Sequence, residues 1–144
     1  EKYQPDGLVV VSSGPAIWDD WQPIWTTMSA IKQRTPRMVV VTTGQRTGWD
    51  AIVAAWCARE GVPLVAYALT GRGKAAFARN RKIGELDISE AVLGEGSGIQ
   101  ANLYQMLRKK GVLIHAFRKP ADAPKPRKPE ASGEYSFRRA RRYA

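Results

Sequence analysis

The sequence predicts an α/β protein: a three-layer sandwich around a five-stranded, mostly parallel sheet, followed by a basic C-terminal tail. Short apolar runs rich in β-branched residues alternate with helical patterns between residues 8 and 117. Most of these runs are apolar at consecutive positions, as expected of strands that are buried on both faces. Regular alternation of strands and helices indicates right-handed βαβ crossovers, which place helices on both faces of a parallel sheet.

The predicted elements follow one another with short connections. Five strands are predicted at residues 8–12, 38–42, 63–69, 88–93 and 112–117. Four helices fit between them, at about 19–33, 48–60, 73–84 and 98–110. The first helix carries an apolar stripe that we expect to pack on the sheet, with part of it open to contact with another subunit. The stripe consists of Trp18, Trp21, Ile24, Trp25, Met28 and Ile31.

The second predicted helix is expected to bury Ile52, Val53 and Trp56 and to end at Gly61, a residue type favoured just after a helix. Cys57, the single cysteine, lies among apolar neighbours on this helix and is expected to be a buried small hydrophobic residue. A single cysteine excludes an internal disulfide framework and fits a reducing compartment.

Several classes of protein are not indicated. No run approaches the roughly eighteen apolar residues of a transmembrane helix, and no secretory signal is visible. With the single cysteine, this predicts a cytoplasmic protein, or one inside a viral particle. No cluster has the spacing of metal ligands. The single histidine, His115, is expected to be structural, so a Ser-His-Asp triad is not supported.

Each predicted strand but the last ends in a turn that contains glycine. In an open parallel sheet these turns share the edge at the carboxyl ends of the strands, where such folds bind ligands. Glycine lets the backbone approach a ligand, and the N-terminus of the next helix favours an anion. Ordinary turns are the alternative for each loop taken alone. The turns are SSGP (12–15), TTGQRTG (42–48), TGRG (70–73) and GEGSG (94–98).

The third connection, GRGKAAFARNRK at residues 71–82, adds positive charge to this edge. Lys74 opens the third helix and Arg79 lies just over one turn further, so both can reach the edge. Arginine binds phosphate through two parallel hydrogen bonds and lysine as a point charge. A solvated basic face is the alternative, with Arg81 and Lys82 expected to point outward.

These motifs, in this order, resemble the SLOG superfamily of Rossmann-like nucleotide-binding proteins, and within it the small bacterial and phage-borne group related to YspA. In that group the second loop reads roughly His-Gly-Gly-Ala-x-Gly-Ala-Asp, the third Gly-Lys-x-Ala-Gly-x-x-Arg-Asn and the fourth Gly-Gly-x-Gly-Thr. The resemblance covers about residues 7–117, and its most specific element is GKAAFARN at 73–80. It implies a Rossmann-like fold, a nucleotide-type ligand without any certain cofactor and, because SLOG proteins commonly pair, a homodimer as one assembly state.

Carried onto this chain, the resemblance implies a ligand site built from the glycine-containing turns. We add Gly14, from the first turn, and Ser97, which lies between Gly96 and Gly98. The candidate ligand- and phosphate-binding residues are Gly14, Gly44, Gly48, Asp50, Gly73, Lys74, Arg79, Asn80, Gly96, Ser97 and Gly98.

The chain departs from the catalytic relatives. In the second loop, Thr43 replaces the first of the two adjacent glycines. In the fourth loop, Glu95 replaces the first glycine and Ile99 replaces the threonine. Phosphoribohydrolases of the Lonely Guy type continue Gly-Gly-x-Gly-Thr-x-x-Glu, and that glutamate acts on the ribosyl bond. The matching residue here is Asn102, and an amide cannot serve as a carboxylate base. We therefore expect a non-catalytic or degenerate SLOG-like protein; an active N-ribosyl hydrolase is a weaker alternative.

Charge divides the chain into a predicted domain at 1–117 and a tail at 118–144. The tail holds nine of the 23 Lys and Arg residues and three of the 13 Asp and Glu residues, and we expect it to be disordered unless bound. The alternative function is a structural or accessory subunit of a nucleoprotein or viral particle, whose tail docks on nucleic acid or an acidic protein surface. A solubilising terminus is the simplest interpretation of the tail. Its candidate contact residues are Lys125, Arg127, Lys128, Arg138, Arg139, Arg141 and Arg142.

Overall fold

The computed structural model describes residues 4–68, 74–96 and 98–118. Strands and helices alternate throughout these residues, as the sequence predicts. The strands are β1 (Leu8–Ser13), β2 (Met38–Thr42), β3 (Leu64–Ala66), β4 (Ile88–Gly94) and β5 (Leu113–Phe117). The helices are α1 (Trp21–Arg34), α2 (Trp49–Glu60), α3 (Ala75–Gly84) and α4 (Gly98–Lys109).

The five strands form one sheet in the order β3-β2-β1-β4-β5. Every neighbouring pair in this sheet is parallel, so the predicted α/β class is confirmed and the sheet is fully parallel. The strand order reverses direction at β1. Strands β2 and β3 follow on one side of β1, whereas β4 and β5 lie on its other side. In such sheets ligands bind at the carboxyl edge, next to this switch point between β1 and β4.

Helices cover the sheet on both faces and give two hydrophobic clusters. On one face α1 and α2 pack against alternate residues of the central strands, including Val10, Val40 and Val92. On the other face α3 and α4 pack against the intervening residues, including Val9, Val11 and Leu93. The central strands are therefore buried on both sides, which is why their sequences are apolar at consecutive positions.

The residues of the predicted stripe pack on the sheet, but Trp18 is not part of the helix, because α1 begins at Trp21. Ile24, Met28 and Ile31 are fully buried, and the three tryptophans of the stripe pack around the same cluster with part of their surface exposed. The Trp25 indole donates a hydrogen bond to the carbonyl of Ile52, 3.1 Å away, and so joins α1 to α2.

Helix α2 is buried from Trp49 to Cys57. It ends at Gly61, whose φ of 68° is the left-handed conformation that glycine adopts readily. Burial raises the pKa of the Cys57 thiol to about 12, so this side chain is a protonated, apolar group, as expected. No helix of the described residues is long and apolar enough to cross a membrane.

His115 has the structural role that the sequence predicts. Its Nε2 donates to Glu90 Oε1 at 2.7 Å, and Arg34 donates to both oxygens of the same carboxylate, at 2.6 and 2.7 Å. Glu90 is buried under these two partners. The Arg34 hydrogen bonds are the main reason that the pKa of Glu90 is lowered, with a smaller contribution from His115.

Replacing Glu90 with glutamine is expected to cost about 1–2 kcal/mol at neutral pH, because charge-assisted bonds are lost but Arg34 can turn to solvent. A carboxylate with a lowered pKa in the folded state stabilises the fold above its unfolded pKa, and this stability is lost as the pH falls through the folded pKa. The cost of Glu90→Gln should therefore shrink towards low pH in urea unfolding curves. A cost that stays constant down to acid would contradict this assignment.

Candidate ligand-binding site

The turns after β1 and β2 are joined by buried hydrogen bonds around one carboxylate. Asp50, in the first turn of α2, accepts hydrogen bonds from the hydroxyl of Ser13 at 2.9 Å, from the hydroxyl of Thr43, and from the backbone N–H of Gln45 at 3.1 Å. The Gln45 side chain then donates to the carbonyl of Gly14 at 3.1 Å. These contacts fix the two turns relative to each other at the carboxyl edge.

Asp50 and Arg79 place opposite charges in the interior beneath this edge. Burial raises the pKa of Asp50, and the hydrogen bonds from Thr43, Gln45 and Ser13 only partly offset that effect. Burial also lowers the pKa of Arg79, while attraction to Asp50 acts in the opposite direction. A carboxylate and a guanidinium that are both desolvated at the ligand edge of a parallel sheet are typical of a functional site.

Arg79 opens onto a cleft between β3 and α3. The side chain is 7% exposed, and its Nε has no hydrogen-bond partner among the described residues. The cleft has a volume of about 560 Å³, which lies within the range of small-molecule sites. Its described lining is mostly small and apolar, with two cations: Val65, Ala66, Tyr67, Ala68, Ala75, Ala78, Arg79 and Lys82.

Glycine is needed at three positions in the first two turns, for different structural reasons. Gly44 has a φ of 77° and lies beside Ala66 and Ala68 of the cleft, where a Cβ would come within 3.3 and 3.4 Å of them. Gly48 has a φ of 70° and packs directly on the backbone of Ala16. Gly14 packs on the ring of Trp49. Packing therefore accounts for Gly14 and Gly48, whereas the positive φ of Gly44 favours glycine beside two alanines that line the cleft.

The start of α4, just after the fourth turn, is joined to α3 by an amide pair. The Asn80 side chain, fully buried, donates from Nδ2 to the carbonyl of Ile99 and to Asn102 Oδ1, both at 3.0 Å. Both N–H groups of the Asn80 amide are therefore bonded inside the protein. Asn102, which accepts one of these bonds, is the residue that matches the catalytic glutamate of the phosphoribohydrolases in the sequence resemblance. A Cβ on Gly96 would meet the Gln100 side chain, whereas Gly98 faces open space.

Glu95 is exposed and does not line the cleft that contains Arg79. It lines a second cleft of about 320 Å³ between α4 and β5, together with Arg108 and Arg118. This position relieves the repulsion that a carboxylate in the fourth turn would exert on an anion near Arg79.

Other predicted positions are exposed or are not described. Lys74 is exposed at the start of α3. Gly73, Ser97 and the seven candidate contact residues of the tail lie outside the described residues. Within the parts of the chain that are described, no three His, Cys, Asp or Glu residues cluster as metal ligands would.

Sequence reasoning missed three residues of this edge. Ser13 and Thr43 hold Asp50, and Trp49 fills the space between the ends of β1 and β4. Two polar residues at strand ends are the only sequence signal for the first pair. Trp49 carries no separate signal, because a tryptophan in an apolar helix is equally compatible with the general core.

The alternating parallel fold, with glycine turns and a buried carboxylate and guanidinium at its carboxyl edge, defines a Rossmann-like α/β protein. Residues 8–72, which span β1 to β3, match the family model described as YAcAr, the YspA, cpYpsA-related SLOG family. This match covers a little under half of the chain; it supports SLOG superfamily membership and agrees with the resemblance seen in the sequence. No curated protein and no solved structure gave a significant match.

Proposed function

We propose that this protein binds a nucleotide or nucleotide derivative at the carboxyl edge of its sheet and does not hydrolyse it. SLOG membership supports a nucleotide-related function. The proposal depends mainly on Arg79, a buried guanidinium at a cleft on that edge whose Nε–H has no hydrogen-bond partner in the part of the chain that the structure describes. A buried cation is costly unless something compensates its charge, and a phosphate anion would do so.

Two observations support binding without hydrolysis. Asn102, at the position of the hydrolase glutamate, cannot take a proton as a carboxylate does, and it accepts a hydrogen bond from Asn80. Asp50 is a carboxylate, but it is held by three donors and almost fully buried, so it is not available to a substrate. Incubation with nucleoside monophosphates should therefore release no free base by chromatography.

Arg79→Met is expected to weaken nucleotide binding by at least about tenfold, because a charge-assisted hydrogen bond of roughly 1.5–3 kcal/mol is removed. The same variant removes the cost of a buried charge but also the attraction of that charge to Asp50, so its stability should change by no more than about 1 kcal/mol. Calorimetric titration with AMP, GMP, CMP and UMP, together with urea unfolding, measures both quantities.

Arg81→Met is the matched control, because Arg81 lies on the same helix, is exposed and does not line the cleft. It should change neither affinity nor stability appreciably. Equal losses of affinity in the two variants would mean that general positive charge, and not the cleft, attracts the ligand. Loss of stability in Arg79→Met would make the arginine a structural residue.

The charge of the tail supports a second candidate function. Nine Lys and Arg residues against three Asp and Glu residues in 118–144 suit contact with nucleic acid or an acidic protein surface in a larger assembly. Binding of single-stranded RNA or DNA by the full chain should weaken steeply with salt and disappear when residues 119–144 are deleted. Nucleotide binding at the cleft should survive that deletion.

A further inference from the structure

The indole of Trp49 lies across the carboxyl ends of β1 and β4. A Cβ on Gly14, just after β1, would lie 2.6 Å from the indole Cδ2, and a Cβ on Gly94, the last residue of β4, would lie 2.5 Å from its Cε3. The indole N–H donates to Ser12 Oγ at 3.0 Å, and the side chain has no exposed surface. Trp18 and Phe117 pack edge-on against the ring, with centroids 4.9 and 5.8 Å away.

This indole occupies the place where a dinucleotide crosses a parallel sheet. Such ligands span the crevice at the switch point, with their pyrophosphate at the N-terminus of the helix after the first strand. Here that helix is α1, and Asp19 and Asp20 directly precede it. A filled crevice and two carboxylates both oppose a pyrophosphate at this position.

Among the described residues, open space lies on the opposite face, in the cleft between β3 and α3. Its alanines leave room for a flat ring, Tyr67 provides an aromatic surface, and Arg79 supplies a buried N–H donor for an anion. In the described lining this is one apolar compartment with one buried cation, beside the exposed Lys82, which matches a ligand with a single base and a single phosphate.

We infer that Trp49 determines ligand size: it closes the switch-point crevice, so that the protein takes a nucleoside monophosphate in the β3–α3 cleft and rejects dinucleotides. The base lies among the alanines and Tyr67, and the phosphate meets Arg79. This inference rests on the proposed function, because it specifies the ligand class and the position of the same binding activity.

The test compares two probes in calorimetric titrations: the tightest-binding nucleoside monophosphate, and the dinucleoside 5′,5′-diphosphate made from the same nucleoside. The wild type should prefer the monophosphate by about tenfold or more. Trp49→Ala should reduce this preference by about tenfold, through tighter binding of the dinucleotide. Trp56→Ala is the matched control, because it removes a buried indole from the same helix, away from the strand ends, and it should leave the preference unchanged.

Amide shifts in the wild type locate the ligand even if a tryptophan variant fails to fold. Monophosphate should shift the amides of Ala66, Ala68 and Ala78 and leave Gly14 and Gly94 unaffected. Shifts centred on Gly14 and Gly94, equal affinity for the two probes, or an unchanged preference in folded Trp49→Ala would each overturn the inference while leaving nucleotide binding in place. Absence of binding by every monophosphate while dinucleotides bind would also overturn the inference, whereas absence of binding by both classes would overturn the proposed function itself.

Discussion

Gly48→Ala is expected to destabilise the protein by about 3–5 kcal/mol, a large part of the total stability of a domain of this size. Gly48 has a φ of 70° and a ψ of −139°, a conformation that residues with a Cβ rarely adopt. That strain costs roughly 1–3 kcal/mol. The new Cβ would also lie 2.4 Å from the carbonyl carbon of Ala16, and backbone cannot move aside as a flexible side chain can. This overlap adds roughly another 1–3 kcal/mol.

Gly61→Ala measures the cost of a positive φ without the steric overlap that a Cβ meets at Gly48. Gly61 has a φ of 68°, and a Cβ there would meet nothing within 4 Å. Its substitution should cost only about 1–2 kcal/mol, the ordinary penalty of the left-handed conformation. Urea unfolding of both variants measures the difference. Equal costs would show that the turn at Gly48 adjusts freely, and that its contact with Ala16 does not fix the start of α2.

The fold was predictable because each element has a strong periodic signal between turn residues. The apolar runs of β1, β2, β4 and β5 agree with the structure to within two residues at each end. The predicted third strand, 63–69, is longer than β3, which ends at Ala66, and its last residue lies outside the described residues. An edge strand pairs with only one neighbour, so its hydrogen bonding to the sheet can end before its apolar run of sequence does.

The candidate site was only partly predictable, because residue type does not reveal side-chain direction. Arg79 and Asn80 are adjacent in one motif and were assigned the same role. In the structure Arg79 faces the cleft, whereas Asn80 is buried and joins α3 to α4. Likewise, the sequence predicts a phosphate-binding turn at the glycine after β1, but Gly14 packs against an indole from α2, a contact that only the tertiary fold creates.

Asp50→Ala is expected to cost about 2–5 kcal/mol, because buried donors lose their acceptor. Ser13 and Thr43, whose hydroxyl oxygens are 3.0 Å apart, can then bond to each other, but one hydroxyl proton and the Gln45 N–H have no replacement acceptor. Asp50→Asn should cost much less, about 1 kcal/mol or below. Its Nδ2 can donate to Ser13, while its oxygen still accepts from Thr43 and Gln45. Chemical unfolding of the two variants measures this difference.

The pH dependence of these variants identifies the charge of Asp50 itself. Because burial raises the pKa of Asp50 in the folded state, the folded protein holds this proton more tightly than the unfolded chain, and its stability falls as the pH rises from about 4 to the folded pKa. Asp50→Asn lacks this loss, so its stability relative to the wild type should increase with pH over that window. Glu90 contributes the opposite slope in both proteins and cancels in the difference. A relative stability that is independent of pH would contradict the raised pKa.

Removal of this carboxylate should also strengthen the binding of nucleoside monophosphates. Asp50 attracts the positive charge of Arg79, and its own negative charge repels a phosphate at the cleft. Asp50→Asn should therefore raise affinity by about three- to tenfold, the effect of roughly 1 kcal/mol of charge repulsion in a partly solvated site. Arg79→Met in the same background should still bind less tightly than Asp50→Asn alone, because the donor to the phosphate is then absent. Weaker binding in Asp50→Asn would mean instead that Asp50 orients Arg79 for the ligand.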